Sequence, residues 1–235
     1  YGGGNYFSYL RRPRRQRYLK DRIHFGLHAR NKGRYERDGR IQESFQEKPR
    51  HTVMPKVILA SSSPRRRELL LKLTDFIVEN PVADEINEGE PEFVAATNAQ
   101  LKGRSVNTEC DVVIACDTVV ALDGKIFGKP HTKENAVGML RVLRGRTHEV
   151  ISGVYVKIDG EEIVFTEKSY VDIKDMTDAE IEKYVSEYLP LDKAGAYGIQ
   201  DGEVAEKFEG DYDNIVGLPL YRIRKIFVEK GYAKE

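Results

Sequence analysis

The chain has 235 residues, 40% apolar and 32% charged, and its 38 Lys+Arg balance 38 Asp+Glu. That composition supplies a core for one large domain or for two lobes sharing a cleft, and no apolar run approaches the roughly 20 residues that span a bilayer. Two cysteines, Cys110 and Cys116, do not make a disulfide framework; they read as reduced thiols, so a cytoplasmic protein is expected.

The neutrality hides an asymmetry. Residues 1–53 carry 14 Lys+Arg against 5 Asp+Glu, and the remaining 182 residues carry 24 against 33. The first segment opens on Tyr-Gly-Gly-Gly, runs through Arg11-Arg12-Pro13-Arg14-Arg15 and shows little apolar periodicity. It reads as a basic, mostly disordered tail outside the globular part. A targeting segment, an RNA- or membrane-binding arm, and no function at all are the three readings of it. Overall neutrality gives no case for nucleic-acid binding across the whole chain.

From Met54 the pattern becomes globular. Lys56-Val57-Ile58-Leu59-Ala60 reads as a buried strand, broken by Ser61-Ser62-Ser63. Pro64 then stands where a helix begins, with Leu69, Leu70 and Leu73 on one face. A second strand runs from Val112 to Cys116, ends at Asp117-Thr118, and is followed by Val119 to Leu122. Asp123-Gly124 is a hairpin signal before Lys125-Ile126-Phe127, and Ala136, Met139, Leu140 and Leu143 mark a helix. His148 to Val156 is strand-like, and Asp159-Gly160 turns it into Ile163 to Ile173. Thr177-Asp178-Ala179-Glu180 forms a capping box; its helix shows Ile181, Tyr184, Val185 and Tyr188 and stops at Pro190. A glycine-containing loop and short strands lead to Gly217-Leu218-Pro219, and a final helix carries Leu220, Ile223 and Phe227. Helices alternating with strands and hairpins predict an α/β fold with a mixed sheet and flanking helices.

Five places could carry chemistry. Ser61-Ser62-Ser63-Pro64-Arg65-Arg66 combines hydroxyls, two guanidiniums and the free N–H groups of a helix start, which together suit an anion; an ordinary Ser-Pro cap with solvated arginines is the competing reading. Asp117-Thr118 interrupts an apolar run, so the carboxylate must be hydrogen-bonded, metal-bound or open to a cleft. It reads as a metal ligand or a base for water, or as a simple strand-end residue. Lys129 in Gly128-Lys129-Pro130 follows the hairpin and can reach the same end of the sheet as Asp117; an ordinary solvent-exposed lysine is the competing reading. Asp84-Glu85, with Glu88 and Glu90, could hold Mg²⁺ beside phosphates or form a solvated acidic loop. Lys193-Ala194-Gly195-Ala196-Tyr197-Gly198-Ile199-Gln200 permits close backbone approach to a ligand, and Gln200 offers one donor and one acceptor to a base edge; a tight structural loop competes. No HExxH, CxxC or Ser-His-Asp order is present, so structural zinc is not expected.

Taken in order, these pieces resemble the Maf family of nucleotide pyrophosphatases. The resemblance rests on Leu59 to Arg66, Asp117-Thr118-Val119-Val120, Gly128-Lys129-Pro130, Thr147-His148-Glu149-Val150 and Ser152-Gly153-Val154. It continues through Asp192 to Gln200 and Val216-Gly217-Leu218-Pro219-Leu220, covering roughly residues 55 to 230. It implies an elongated sheet with two lobes around a cleft, as in the inosine triphosphatase (ITPase-like) fold. It also implies hydrolysis of a nucleoside triphosphate to the monophosphate and pyrophosphate with a divalent metal, Mg²⁺ or Mn²⁺, and a homodimer. By motif match Asp117 is the family's proton acceptor, and Glu85, Lys102 and Lys129 fall near its other catalytic charges, with Asp117 and Glu85 as metal ligands. Ser61 and Arg66 would hold phosphate. Arg65, Thr118 and Gln200 match positions that select dTTP and UTP over 7-methyl-GTP. The sequence departs from the family pattern at Gly103, where alanine is usual, at Cys116, where a small residue is usual, and at Asp201, where glycine is common. A pyrophosphatase for a modified nucleotide such as 7-methyl-GTP is one alternative; a non-catalytic regulatory or nucleic-acid-binding protein linked to cell division is the other, and it would not need Asp117, Lys129 and Arg66 together.

Overall fold

A computed structural model of the chain describes residues 55–233; the basic tail expected over 1–53 lies outside the described residues. The elements are β1 (Val57–Ala60), α1 (Pro64–Leu71), β2 (Ile77–Glu79), α2 (Pro91–Arg104), β3 (Val112–Leu122), β4 (Lys125–Phe127), α3 (Lys133–Leu143), β5 (Thr147–Ile158), β6 (Glu161–Ile173), α4 (Asp178–Tyr188), β7 (Ala205–Glu209), α5 (Tyr212–Val216) and α6 (Leu220–Glu229). Single 3₁₀ turns lie at Ala194–Ala196 and Ile199–Asp201.

One mixed sheet organises the described residues in the order β2-β1-β3-β5-β6-β7, with β4 on the free stretch of β3. β1 is parallel to β2 and β3, and every other pairing is antiparallel. Both hairpin turns behave as their Asp-Gly pairs predict: Asp123 and Gly124 take φ of 51° and 75°, Asp159 and Gly160 take 52° and 76°. Positive φ at both central residues matches the right-handed twist of the flanking strands. The Thr177 capping box is complete, with Glu180 accepting from the Thr177 N–H and the Thr177 hydroxyl accepting from Glu180 N.

Alternation along β3 and β5 divides the core. On one face, Val112, Ile114 and Cys116 join Val154, Val156 and Ile158 under α1 and α6, whereas Val120, Leu122 and Val150 join the α3 and α4 side chains Leu140, Leu143, Ile181 and Val185. Each of these fully buried aliphatic side chains stabilises the fold by about 1.5–3 kcal/mol. Between the two clusters stands the registered pair Thr118 and Ser152. On the other face α2 covers Val113, Ala115 and Tyr155 and then Val119, Ala121 and Ile151, and the residues between them are Asp117 and its registered partner Gly153. The sheet is thus interrupted by one polar row on both faces. The helices among the described residues are too short and too polar to cross a membrane.

Three sequence expectations need correction. Asp117 does not end a strand: β3 runs unbroken for 11 residues through it. The sequence pattern marks no element between Leu73 and Val112, yet β2 and the 14-residue α2 lie there. The short strands expected before Gly217 are one strand, β7, and a short helix, α5, capped by Asp211. The α2 helix is hard to see because, after Pro91 and Val94, its covered face is built from Ala95, Ala99 and Gly103 with Asn98 and Lys102, so large apolar residues do not recur along it.

Candidate active site

The polar row coincides with a gap in strand pairing. β1 accompanies β3 only as far as Ala115, and β4 joins it only from Val120. Residues 116–119 therefore have a strand neighbour on the β5 side alone, and a cleft of about 340 Å³ opens there. That volume falls in the range of about 300–1,000 Å³ usual for small-molecule sites. Ser61, Arg65, Arg66, Glu85, Lys102, Asp117, Thr118, Lys129 and Gln200, the nine site residues expected from the sequence, all line it.

The carboxylate centre sits on the α2 face. Asp117 is 8% exposed and Lys102 9%, and Lys102 Nζ lies 2.5 Å from Asp117 Oδ1 and 2.9 Å from Glu85 Oε2. Two carboxylates therefore share one ammonium, which offsets the cost of burying charge. Of the acidic residues at 84, 85, 88 and 90, only Glu85 reaches the cleft. The sequence pattern does not single out a further member of this centre, Asn98. It lies one turn before Lys102 on α2, is 3% exposed, and donates from Nδ2 to Asp117 Oδ2 at 3.3 Å. Its spacing of four residues from Lys102 is the one local signal that could have found it.

Glycine brings α2 close enough for these contacts. A Cβ on Gly153 would lie 2.1 Å from the Ala95 carbonyl oxygen, so the helix backbone rests directly on β5 opposite Asp117. At Gly103 a Cβ would lie 2.0 Å from the Tyr155 ring. Tyr155 is buried and donates to Glu162 at 2.9 Å, so the glycine that replaces the usual alanine makes room for a ring that cannot withdraw.

The cationic side is built at the start of α1. Ser63 caps the helix, accepting from Arg66 N, and Ser61, 3% exposed, accepts from Ser63 N at 3.2 Å. The ordinary Ser-Pro cap is therefore present on Ser63, and Ser61 closes the turn before it. Arg66 donates to the Gly217 carbonyl at 2.8 Å and to the Thr118 hydroxyl at 3.0 Å; Thr118 in turn meets Ser152 Oγ at 2.9 Å. The Thr118 hydroxyl is thus committed to fixing Arg66. Cys116 faces away from Asp117, and its thiol donates to the same Gly217 carbonyl at 3.2 Å; burial raises its pKa. Arg65 pairs with Asp192 at 2.7 Å, and Lys193 lies 3.2 Å from the same carboxylate. Partial burial alone would raise the Asp192 carboxyl, but the Arg65 hydrogen bond and charge, with Lys193 beside them, hold it below the ordinary aspartate range.

The far wall is the loop from Lys193 to Gln200. Gly195 takes φ of 71° and donates to the Gly128 carbonyl at 3.2 Å, which ties this loop to the residue before Lys129. Lys129 is exposed in the cleft and has no ion pair among the described residues. Tyr197 is anchored by its hydroxyl on His148 Nε2 at 2.9 Å. Burial pushes the His148 imidazole down to about 4 against the opposing pull of Asp172. Asp201 accepts from the Tyr184 hydroxyl at 2.6 Å, and that hydroxyl accepts from Gly198 N at 3.1 Å. The departure from glycine at 201 therefore fastens the Gln200 turn to α4, and Gly202 supplies the left-handed residue that follows, with φ of 71°.

Residues 56–230 match the family model described as Maf-like protein. A dTTP/UTP pyrophosphatase of Thermosipho africanus is 44% identical over 180 residues, covering 75% of this chain and 94% of the relative. One from Dictyoglomus thermophilum is 44% identical over 187 residues, 75% of this chain and 97% of the relative. One from Pyrococcus furiosus is 45% identical over 186 residues, 76% and 97%.

Proposed function

The chain belongs to the Maf-like protein family, and from that premise we propose that it hydrolyses nucleoside triphosphates, dTTP and UTP foremost, to the monophosphate and pyrophosphate. Relatives 44–45% identical to it over 180–187 aligned residues carry the name dTTP/UTP pyrophosphatase. The observation that carries the proposal is the meeting of a buried carboxylate, Asp117, with the cations Lys102, Arg66 and Lys129 in one cleft. A pure binding module for a polyanion has no use for a carboxylate buried at its centre.

The chemistry follows from charge. A triphosphate carries about four negative charges near neutral pH, so hydroxide is repelled unless that charge is matched. Ser61, Arg66 and Lys129 bind phosphate oxygens, and Arg65 joins them by exchanging Asp192 for a phosphate. Asp117 orients a water and takes its proton as the water attacks phosphorus. The bond between the α- and β-phosphates breaks, and pyrophosphate leaves with its charge held by the same cations. Gln200 presents an amide to the base, where its donor and acceptor complement the imide edge of uracil or thymine.

The residues also suit a divalent cation carried on the substrate. No three His, Cys, Asp or Glu side chains converge among the described residues. Magnesium beside a phosphate chain needs only one or two protein carboxylates, and Asp117 and Glu85 are that pair in the cleft once the Lys102 ammonium that bridges them gives way. Bound there, Mg²⁺ or Mn²⁺ would neutralise phosphate charge and make phosphorus more electrophilic.

The test is product analysis across nucleotides, 7-methyl-GTP included. We expect one monophosphate and one pyrophosphate per dTTP or UTP consumed. Release of single phosphates, or faster turnover of 7-methyl-GTP than of either pyrimidine nucleotide, would overturn the assignment.

A further inference from the structure

Asn98 is 3% exposed, and its side-chain hydrogen bonds go to Ile86 and to Asp117. Its Oδ1 accepts from Ile86 N at 2.8 Å, and its Nδ2 donates to Ile86 O at 2.9 Å. These two contacts fix the orientation of the amide, because exchanging oxygen and nitrogen would set donor against donor and acceptor against acceptor. The edge facing Asp117 Oδ2 at 3.3 Å is therefore the NH₂ group. Ile86 directly follows Glu85, whose carboxylate lies 2.9 Å from Lys102. One buried amide thus holds the backbone beside Glu85 and reaches the oxygen of Asp117 that Lys102 does not occupy.

We propose that Asn98 is a positioning residue: it orients the Asp117 carboxylate and clamps the loop that carries Glu85. This rests on the reading of Asp117 as the base. The geometry is economical, because Asn98 and Lys102 are four residues apart on α2 and face the same way. The helix thereby holds one Asp117 oxygen with an ammonium and the other with an amide. Rotation of the carboxylate away from the water would break one contact or the other.

The test uses the full-length protein carrying Asn98→Leu, which has similar volume and no polar atom, and Asn98→Ser, which is smaller and too short to span Ile86 and Asp117. Turnover of UTP, affinity for α,β-methylene-UTP and hydrogen exchange of the Ile86 amide are measured beside Asp117→Asn. We expect kcat to fall about 10- to 100-fold, the scale of losing a hydrogen bond to a charged group. Affinity for the analogue should stay within about threefold, since only the reacting centre is disturbed. The Ile86 amide should exchange faster in Asn98→Leu. A folded Asn98 variant with kcat near wild type, or one whose analogue affinity falls as far as its kcat, overturns the proposal. Inactive Asp117→Asn beside fully active Asn98 variants removes Asn98 alone, whereas active Asp117→Asn removes the base and this proposal with it.

Discussion

Gly153→Ala probes the link between packing and chemistry. The added methyl would sit 2.1 Å from the Ala95 oxygen, 2.2 Å from its carbonyl carbon and 2.4 Å from Ala96 N, and real Cβ atoms essentially never approach within 3.0 Å. All three neighbours are backbone, so no side chain can swing aside; α2 must retreat from β5 by about 1 Å, or β5 must bulge. Overpacking of this kind costs about 1–3 kcal/mol, which lowers Tm by several degrees in a domain of this size, at about 2–4 °C per kcal/mol. The larger consequence falls on turnover. Asn98 and Lys102 ride on the displaced helix and both contact Asp117, and a misplacement of about 1 Å at a reacting centre can cost on the order of 100-fold. Steady-state kinetics with UTP and a thermal melt, run beside Gly138→Ala, test this. Gly138 is helical, with nothing within 4 Å of the place an added methyl would take, so its replacement should stabilise by about 0.5–1 kcal/mol and leave kcat alone. Wild-type kcat in Gly153→Ala would refute the argument that this close approach sets the carboxylate centre.

Three further outcomes are expected. Gly103→Ala should destabilise by about 1–3 kcal/mol, and the loss should shrink in a Tyr155→Leu background because the Tyr155 ring is what the methyl meets; equal losses in both backgrounds would locate the clash elsewhere. Gln200→Ala should weaken discrimination among bases while the best turnover persists, since one base contact is worth about 1 kcal/mol; an unchanged preference removes Gln200 from recognition. The third outcome concerns pH. His148 titrates near 4 in the fold against 6.5 as its ordinary value, so the unfolded chain binds the extra proton first as pH falls. Stability should therefore drop between pH 6.5 and 4, by about 3 kcal/mol from this group, and denaturant melts of His148→Asn should lack that component.

Legibility followed chemistry that is local in sequence. The capping box at Thr177, the Asp-Gly turns and the Pro64 helix start are each specified within a few residues, and the structure has them where the pattern puts them. The interruption of an apolar run by Asp117-Thr118 correctly marks an unusual position, although the residues extend the strand and do not end it. What makes the site open there is the separate ends of β1 and β4, a tertiary fact with no local signature. Helix α2 escapes because close packing on Gly153 requires alanines, and alanines weaken the apolar stripe by which helices are recognised. Asn98 escapes with it: a lone asparagine reads as surface until the partners Ile86 and Asp117, 12 and 19 residues away, are in place. The three departures at Gly103, Cys116 and Asp201 resolve into contacts with Tyr155, Gly217 and Tyr184.

Hydrolysis requires Asp117 to activate water, and turnover of Asp117→Asn measures that role. The substitution keeps the size of the side chain and removes its charge and basicity. UTP turnover should fall by about two to four decades, with α,β-methylene-UTP still bound by Ser61, Arg66 and Lys129. Near-normal turnover in Asp117→Asn would rule out Asp117 as the base.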